Sequence, residues 1–145
     1  MDLAAIKESW STISAKMPSS EEINTAWVES LHESGTPEEI KAGGTVISVL
    51  DQDTDIGYLL LSGDYKVQKE GEMELEKSAP ELLGEMAGLN PSRRRTANIR
   101  AVSDISMIKF SWDKLNAKLQ ERLSESDYTK LKDSLKQYAW EHFME

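Results

Sequence analysis

Between residues 45 and 110 the apolar residues come in runs of only a few, and glycine or acidic residues close most of them. Thr45 to Leu50, Tyr58 to Leu61, Tyr65 to Lys69 and Met73 to Glu76 favour strands. Gly43-Gly44, Asp51 to Gly57, Ser62-Gly63-Asp64 and Glu70-Gly71-Glu72 punctuate them, and strand patterns resume at Thr96 to Val102 and Ile105 to Phe110. Tyr65, Val67 and Lys69 alternate with Lys66 and Gln68, which predicts one covered face. Tyr58-Leu59-Leu60-Leu61 is apolar throughout and predicts burial on both faces. A set of short strands of this kind closes best as a barrel or sandwich.

Helical periodicity flanks the strands. Leu3, Ile6, Trp10, Ile13 and Met17 recur every three to four residues until Pro18 ends the pattern. Ser19 and Glu22 have capping-box spacing, and Ile23, Ala26, Trp27 and Leu31 continue a second helix until Gly35 and Pro37 break it. Leu82, Leu83, Met86 and Leu89 have helical spacing, so a short helix over Pro80 to Leu89 is expected to interrupt the strands. After Ser111, a suitable N-cap, come Leu115, Leu119 and Leu123; beyond Ser124 to Asp127 come Tyr128, Leu131, Leu135, Ala139 and His142. The predicted organisation is one domain: N-terminal helices over 1–40, strands over 41–110, and C-terminal helices over 111–145.

Composition narrows the chemistry. The 145 residues suffice for a core, and the absence of cysteine excludes disulfides and thiolate-based metal sites. No apolar run reaches membrane-spanning length, and Met1-Asp2-Leu3 lacks the basic and apolar pattern of a secretory leader, so the cytoplasm is the expected compartment. A net charge of -9 argues against a nucleic-acid partner. The spacing Asp51-x-Asp53-x-Asp55 suggests a calcium loop, but Ile56 and Ser62 stand where glycine and a bidentate glutamate are needed. His32 and His142, the only histidines, fall on predicted helices, and no nucleophile elbow or phosphate loop of a known enzyme class occurs. Neither metal, cofactor nor catalytic activity is expected.

One stretch carries a more specific signal. In Gly84 to Ala101 an acid, Glu85, and a cation, Arg95, stand at the two sides of a short loop, ten positions apart. Backbone N–H groups at a helix start near Gly84 to Ala87 suit an anion, and glycine there allows close approach. A guanidinium from Arg95 neutralises a phosphate, while the Glu85 carboxylate accepts from a sugar hydroxyl. Thr96 adds a hydroxyl, and Ala97 is small where a ligand must pass. Arg93 and Arg94 read as surface residues.

Over roughly residues 20 to 143 the order of elements and motifs resembles the cyclic-nucleotide-binding domain of catabolite-activator-type regulators, cyclic-nucleotide-dependent kinases and gated channels. Gly84-Glu85-Met86-Ala87 is similar to the opening of that family's phosphate-binding cassette, and Arg95-Thr96-Ala97 to its close. Ser62-Gly63-Asp64-Tyr65-Lys66-Val67 and Ala42-Gly43-Gly44-Thr45-Val46-Ile47 resemble two further family turns. Two positions depart from the pattern: Leu50 to Asp55 replaces an acidic glycine turn, and Pro80-Glu81 replaces a Gly-Asp pair.

The resemblance implies an α+β fold: a double-stranded β-helix, jelly-roll-like barrel with N-terminal helices, a cassette helix within 82–97 and C-terminal lid helices. It implies a regulatory sensor whose ligand is cyclic AMP or cyclic GMP, with cyclic AMP favoured. The expected ligand contacts are Gly84, Glu85, Met86, Ala87, Arg95, Thr96, Ala97 and Val67. The stripe Tyr128, Leu131, Leu135, Tyr138 and His142 is left with three readings, namely covering the base, pairing with a second copy, or packing on the barrel. Either the chain works alone or an effector segment belongs beyond it. A ligand-free domain of the same fold, used for dimerisation or scaffolding, is the alternative.

Overall fold

A computed structural model describes residues 3–17, 19–48, 55–69, 71, 73–84 and 97–143. Ile6, Trp10 and Ile13 are buried along one face of α1 (Leu3–Ser14), as their spacing predicts, while Leu3 stays exposed. Helix α2 (Glu21–Ser34) starts one residue later than the capping box predicts. Ser20, in an extended conformation, accepts from the Ile23 amide at 3.3 Å, and Ser19 instead accepts from the Asn24 side chain at 3.3 Å.

The chain does not remain helical or loop-like to residue 40. Thr36–Ile40 forms β1, paired antiparallel with β8 (Ile105–Ser111) from Thr36↔Lys109 to Ile40↔Ile105. Pro37, Glu38 and Glu39 have low strand propensity, so only this pairing makes the segment a strand. The remaining strands are β2 (Thr45–Ile47), β3 (Ile56–Ser62), β4 (Asp64–Lys69), β5 (Leu75–Ser78), β6 (Glu81–Leu83) and β7 (Ala97–Ala101). They form two four-stranded sheets, β1-β8-β3-β6 and β2-β7-β4-β5, with no ladder joining them among the described residues. In place of the expected closed barrel, the described residues form a pair of antiparallel sheets.

The expected helix over Pro80 to Leu89 is corrected at its start, because Glu81–Leu83 is strand, with Tyr58↔Leu83 and Leu60↔Glu81 in register. A run of two leucines fits a helix or a doubly buried strand equally well in sequence, and pairing with β3 decides. The positions after Gly84 in that expectation lie outside the described residues.

The first sheet is a shared wall between two cores. Leu59, Leu82, Ile108 and Phe110 pack against Trp10, Trp27, Leu31 and the C-terminal helices. Their neighbours Leu60, Leu83 and Met107 pack with Tyr65, Val67 and Ile99 of the second sheet. Burial of Leu59 and Leu60 together matches the expectation for that run.

Ser111 caps α3 (Trp112–Arg122), accepting from the Lys114 amide at 3.4 Å. Asp55, immediately before β3, completes this turn, accepting from the Ser111 hydroxyl at 2.5 Å and the Asp113 amide at 3.2 Å. The aspartate weighed for calcium is therefore seated at a helix start, where an acid is favoured. In α4 (Glu125–Phe143) Leu131, Leu135 and Tyr138 are buried in the cluster that holds Trp10 and Trp27. Of the three readings of that stripe, these residues show packing within the chain, in the helical layer.

Arg122 ties the end of α3 to α2. Its guanidinium donates to the Ser30 hydroxyl at 2.8 Å and to Glu33 at 2.5 Å, and the Lys118 ammonium lies 3.5 Å from the other Glu33 oxygen. The Arg122 hydrogen bond, helped by both cations' charges, holds the Glu33 carboxyl below its ordinary value of 4.5. A depressed folded value means that the pair's contribution is fully present above 4.5 and is lost as pH falls through the folded value. Arg122→Ala is expected to raise the Glu33 midpoint back toward its ordinary value in a carboxyl NMR titration; an unmoved midpoint would show that the pair is not formed in solution.

Candidate ligand-binding site between the sheets

Of the eight expected contact residues, three fall among the described residues: Val67, Gly84 and Ala97. Glu85, Met86, Ala87, Arg95 and Thr96 lie outside them, as do Arg93 and Arg94. Val67 is in β4 and pairs with Ile99, and Ala97 pairs with Lys69 two places along, so all four positions belong to one face of the second sheet. Gly84 follows β6 of the other sheet. Leu83 beside it packs in the same cluster as Val67 and Ile99, which brings the end of β6 to the β4–β7 face.

Local geometry explains how the chain reaches these positions. Gly63, at φ 111, makes the turn from β3 into β4, and a Cβ there would lie 2.6 Å from the Asp104 carbonyl. Asp64 then fixes the strand start: its amide donates to Ser103 Oγ at 2.9 Å and its carboxylate accepts from Ser78 Oγ at 2.6 Å. Gly84 is the second glycine whose conformation matters, because φ 73 lies in the left-handed region that side chains disfavour. Its carbonyl is buried and accepts from the Trp112 indole N–H at 2.6 Å.

Two further features of this region were not singled out by sequence reasoning. Tyr65, fully buried on the inner face of β4, directs its hydroxyl at Glu81 in β6, 3.5 Å away. Burial first, and the Glu81 carboxylate second, push the Tyr65 phenol far above its ordinary value of 10.0, so it stays protonated and donates. Glu81 also accepts from the Leu82 amide at 3.1 Å, as a buried carboxylate requires. The only hint in sequence is an acid placed directly before Leu82-Leu83. Leu75, opposite Val67 in β5, is the other feature: 58% exposed, it extends the apolar face of β4 outward.

A cavity of about 450 Å³ opens between α1 and α2, lined by Lys7, Trp10, Asn24 and Val28 among others. It lies in the helical layer, across the first sheet from Val67, and contains none of the expected contacts. Among the described residues no group of three or more acidic or histidine side chains is placed to hold a metal ion. Among the same residues no helix is long and apolar enough to cross a membrane.

No protein-family model matches the chain. Over 73 residues the chain is 37% identical to the Pycsar effector protein RsmPycTIR of Rhodovulum sp. (strain MB263), a stretch covering 49% of this chain and 28% of that protein. Over 104 residues it is 28% identical to the Pycsar effector protein XpPycTIR of Xanthomonas perforans, covering 62% of this chain and 34% of that protein. The chain thus spans roughly a third of the length of these curated relatives. Among solved structures it is similar to CLP, the c-di-GMP-responsive global regulator of Xanthomonas campestris, with a TM-score of 0.63, 16% identity, and coverage of 83% of this chain and 59% of that one. At that identity the similarity shows a shared fold of helices and antiparallel sheets, in line with the architecture that the resemblance implies.

Proposed function

We propose that the chain is a cyclic-nucleotide-binding regulatory module. The observation that carries this reading is the joining of a CLP-like fold to a cassette-like sequence that opens at Gly84, after β6, and closes at Ala97, the start of β7. In this reading Arg95 neutralises the phosphate, Glu85 accepts from the ribose 2′-hydroxyl, and the amides of Gly84 to Ala87 complete the anion site. Val67 supplies an apolar wall, and Thr96 and Ala97 line the phosphate side. The module has no catalytic role of its own. Because both curated relatives are named effector proteins, the bound ligand is proposed to control an effector activity.

The preferred ligand is cyclic AMP, with cyclic GMP as the nearest competitor. Calorimetry of the purified chain with the four 3′,5′-cyclic ribonucleotides and with c-di-GMP tests the proposal. A saturable one-to-one heat from at least one cyclic mononucleotide is expected. No heat from any of them would leave the ligand-free scaffold as the reading of this fold.

A further inference from the structure

Tyr65 and Glu81 meet across the space between the two sheets, joining β4 of one to β6 of the other. Tyr65 lies two residues before Val67 along β4, and Glu81 two residues before Leu83 along β6, so each stands one inward step behind the side chains that bring β6 to the β4–β7 face. Both are buried, Tyr65 completely. We propose that this pair is a clasp that tightens when a cyclic nucleotide is held between Val67 and Gly84, which makes Tyr65 and Glu81 positioning residues for the ligand site. The assignment rests on the proposed function and adds to it two residues that set how firmly the ligand is held.

The two halves of the clasp are held unequally. Tyr65 is on an inner strand of its sheet, opposite Ala101 of β7 on one side and Lys77 of β5 on the other. Strand β6 has three residues and lies at the edge of its sheet, where β3 is its one described neighbour. Tyr65 is therefore the fixed half, and Glu81 the half that moves. The Tyr65 hydroxyl lies 3.5 Å from the Glu81 carboxylate, whereas a well-formed bond between two oxygens spans about 2.7–2.8 Å, which leaves slack on the order of 0.7 Å. The phenol stays a donor throughout, because burial and the carboxylate hold it protonated. The other Glu81 oxygen accepts from the Leu82 amide at 3.1 Å, so a shift of the carboxylate goes with the strand that leads to Gly84.

Stability gives no reason for an acid at this place. A carboxylate in an apolar core costs desolvation, and apolar side chains of similar size are commonly neutral or better for the folded state. At 3.5 Å the tyrosine offsets little of that cost. A ligand that touches both sheets draws the bond shorter, and the strengthened bond then adds to the ligand's affinity.

The test measures affinity and stability in the same variants of the full chain, by calorimetry with each of the four 3′,5′-cyclic ribonucleotides and by urea unfolding without them. Tyr65→Phe and Glu81→Leu each remove one half of the clasp, and each is expected to weaken binding of the nucleotide that gives heat about tenfold. Glu81→Gln keeps an acceptor for the Leu82 amide and a partner for the Tyr65 hydroxyl, and its affinity is expected within about threefold of wild type. Tyr65→Phe alone leaves a buried carboxylate short of a donor, so the deciding variant is the double one, Tyr65→Phe with Glu81→Leu. It is expected to unfold at the wild-type urea midpoint or above, yet to bind about tenfold more weakly, no worse than either single change. In wild-type protein carrying ¹³C at tyrosine Cζ, the Tyr65 signal is expected to move on saturation with nucleotide. A double variant that binds within about twofold of wild type, a Glu81→Gln variant that loses as much as Glu81→Leu, or a stationary Tyr65 signal on binding overturns the clasp and leaves the sensor reading intact. Absence of heat from every nucleotide with the wild-type chain overturns the sensor reading, and the clasp falls with it.

Discussion

Arg95→Ala is expected to raise the dissociation constant for cyclic nucleotide on the order of 100-fold, enough to remove the calorimetric heat at ordinary concentrations. The physical ground is the cost of holding a phosphate in a protein of net charge -9 without a local cation. Hydrogen bonds to charged groups contribute about 1.5–3 kcal/mol each, and a guanidinium can make two to one phosphate, so a loss of about 3 kcal/mol is a moderate estimate. Arg95→Lys keeps the charge but not the two-pronged geometry, and an intermediate loss is expected. On the sequence reading of Arg93 and Arg94 as surface residues, Arg93→Ala and Arg94→Ala should each stay within about threefold of wild type, because surface charges act weakly through salt solution. Equal losses at all three arginines would point to a diffuse basic patch. An Arg95→Ala protein that binds as wild type would remove the assigned phosphate contact altogether.

The second large effect is on stability. Trp27→Ala is expected to lower the unfolding free energy by about 3–5 kcal/mol, read from the urea midpoint at unchanged slope. Trp27 is fully buried and meets three large rings of the helical core: Trp10 stacked at 4.3 Å, Trp112 at 5.9 Å and Phe110 edge-on at 6.2 Å. Domains of this size are stable by about 5–15 kcal/mol, so the loss is a large share of the total. Trp27→Phe should cost much less, since the Trp27 indole N–H is buried with no hydrogen-bond partner among the described residues and its removal forfeits no bond. A Trp27→Ala protein destabilised by under about 1 kcal/mol would mean that α2 does not pack on the first sheet as described.

Much of this fold was legible because local pattern and tertiary burial agree. Ile6, Trp10 and Ile13 announce a helix face, and Tyr65 and Val67 announce a half-covered strand. The segments that were misread are those whose structure is decided by distant partners. Thr36–Ile40 is a strand only because β8 lies beside it, and Glu81–Leu83 is one only because β3 does. Asp55 draws its role from Ser111 and Asp113, more than fifty positions away, so spacing within its own loop could suggest only a metal. The candidate site is read as a motif, from the residue types and order of Glu85 and Arg95, and both lie outside the described residues. The Trp112 hydrogen bond to the Gly84 carbonyl was not legible, because nothing near Gly84 in sequence points to a tryptophan 28 positions on.

Neighbouring residues of β3 serve different masters: Leu59 belongs with the tryptophans and Leu60 with Tyr65 and Val67. Deleting or inserting a single residue in this strand would exchange the two sets, offering each core side chains shaped for the other. The strand can therefore change its letters one at a time, but its length is frozen. Variation in residue type can be absorbed elsewhere in the second sheet and the loops, while the wall between the two cores keeps its count.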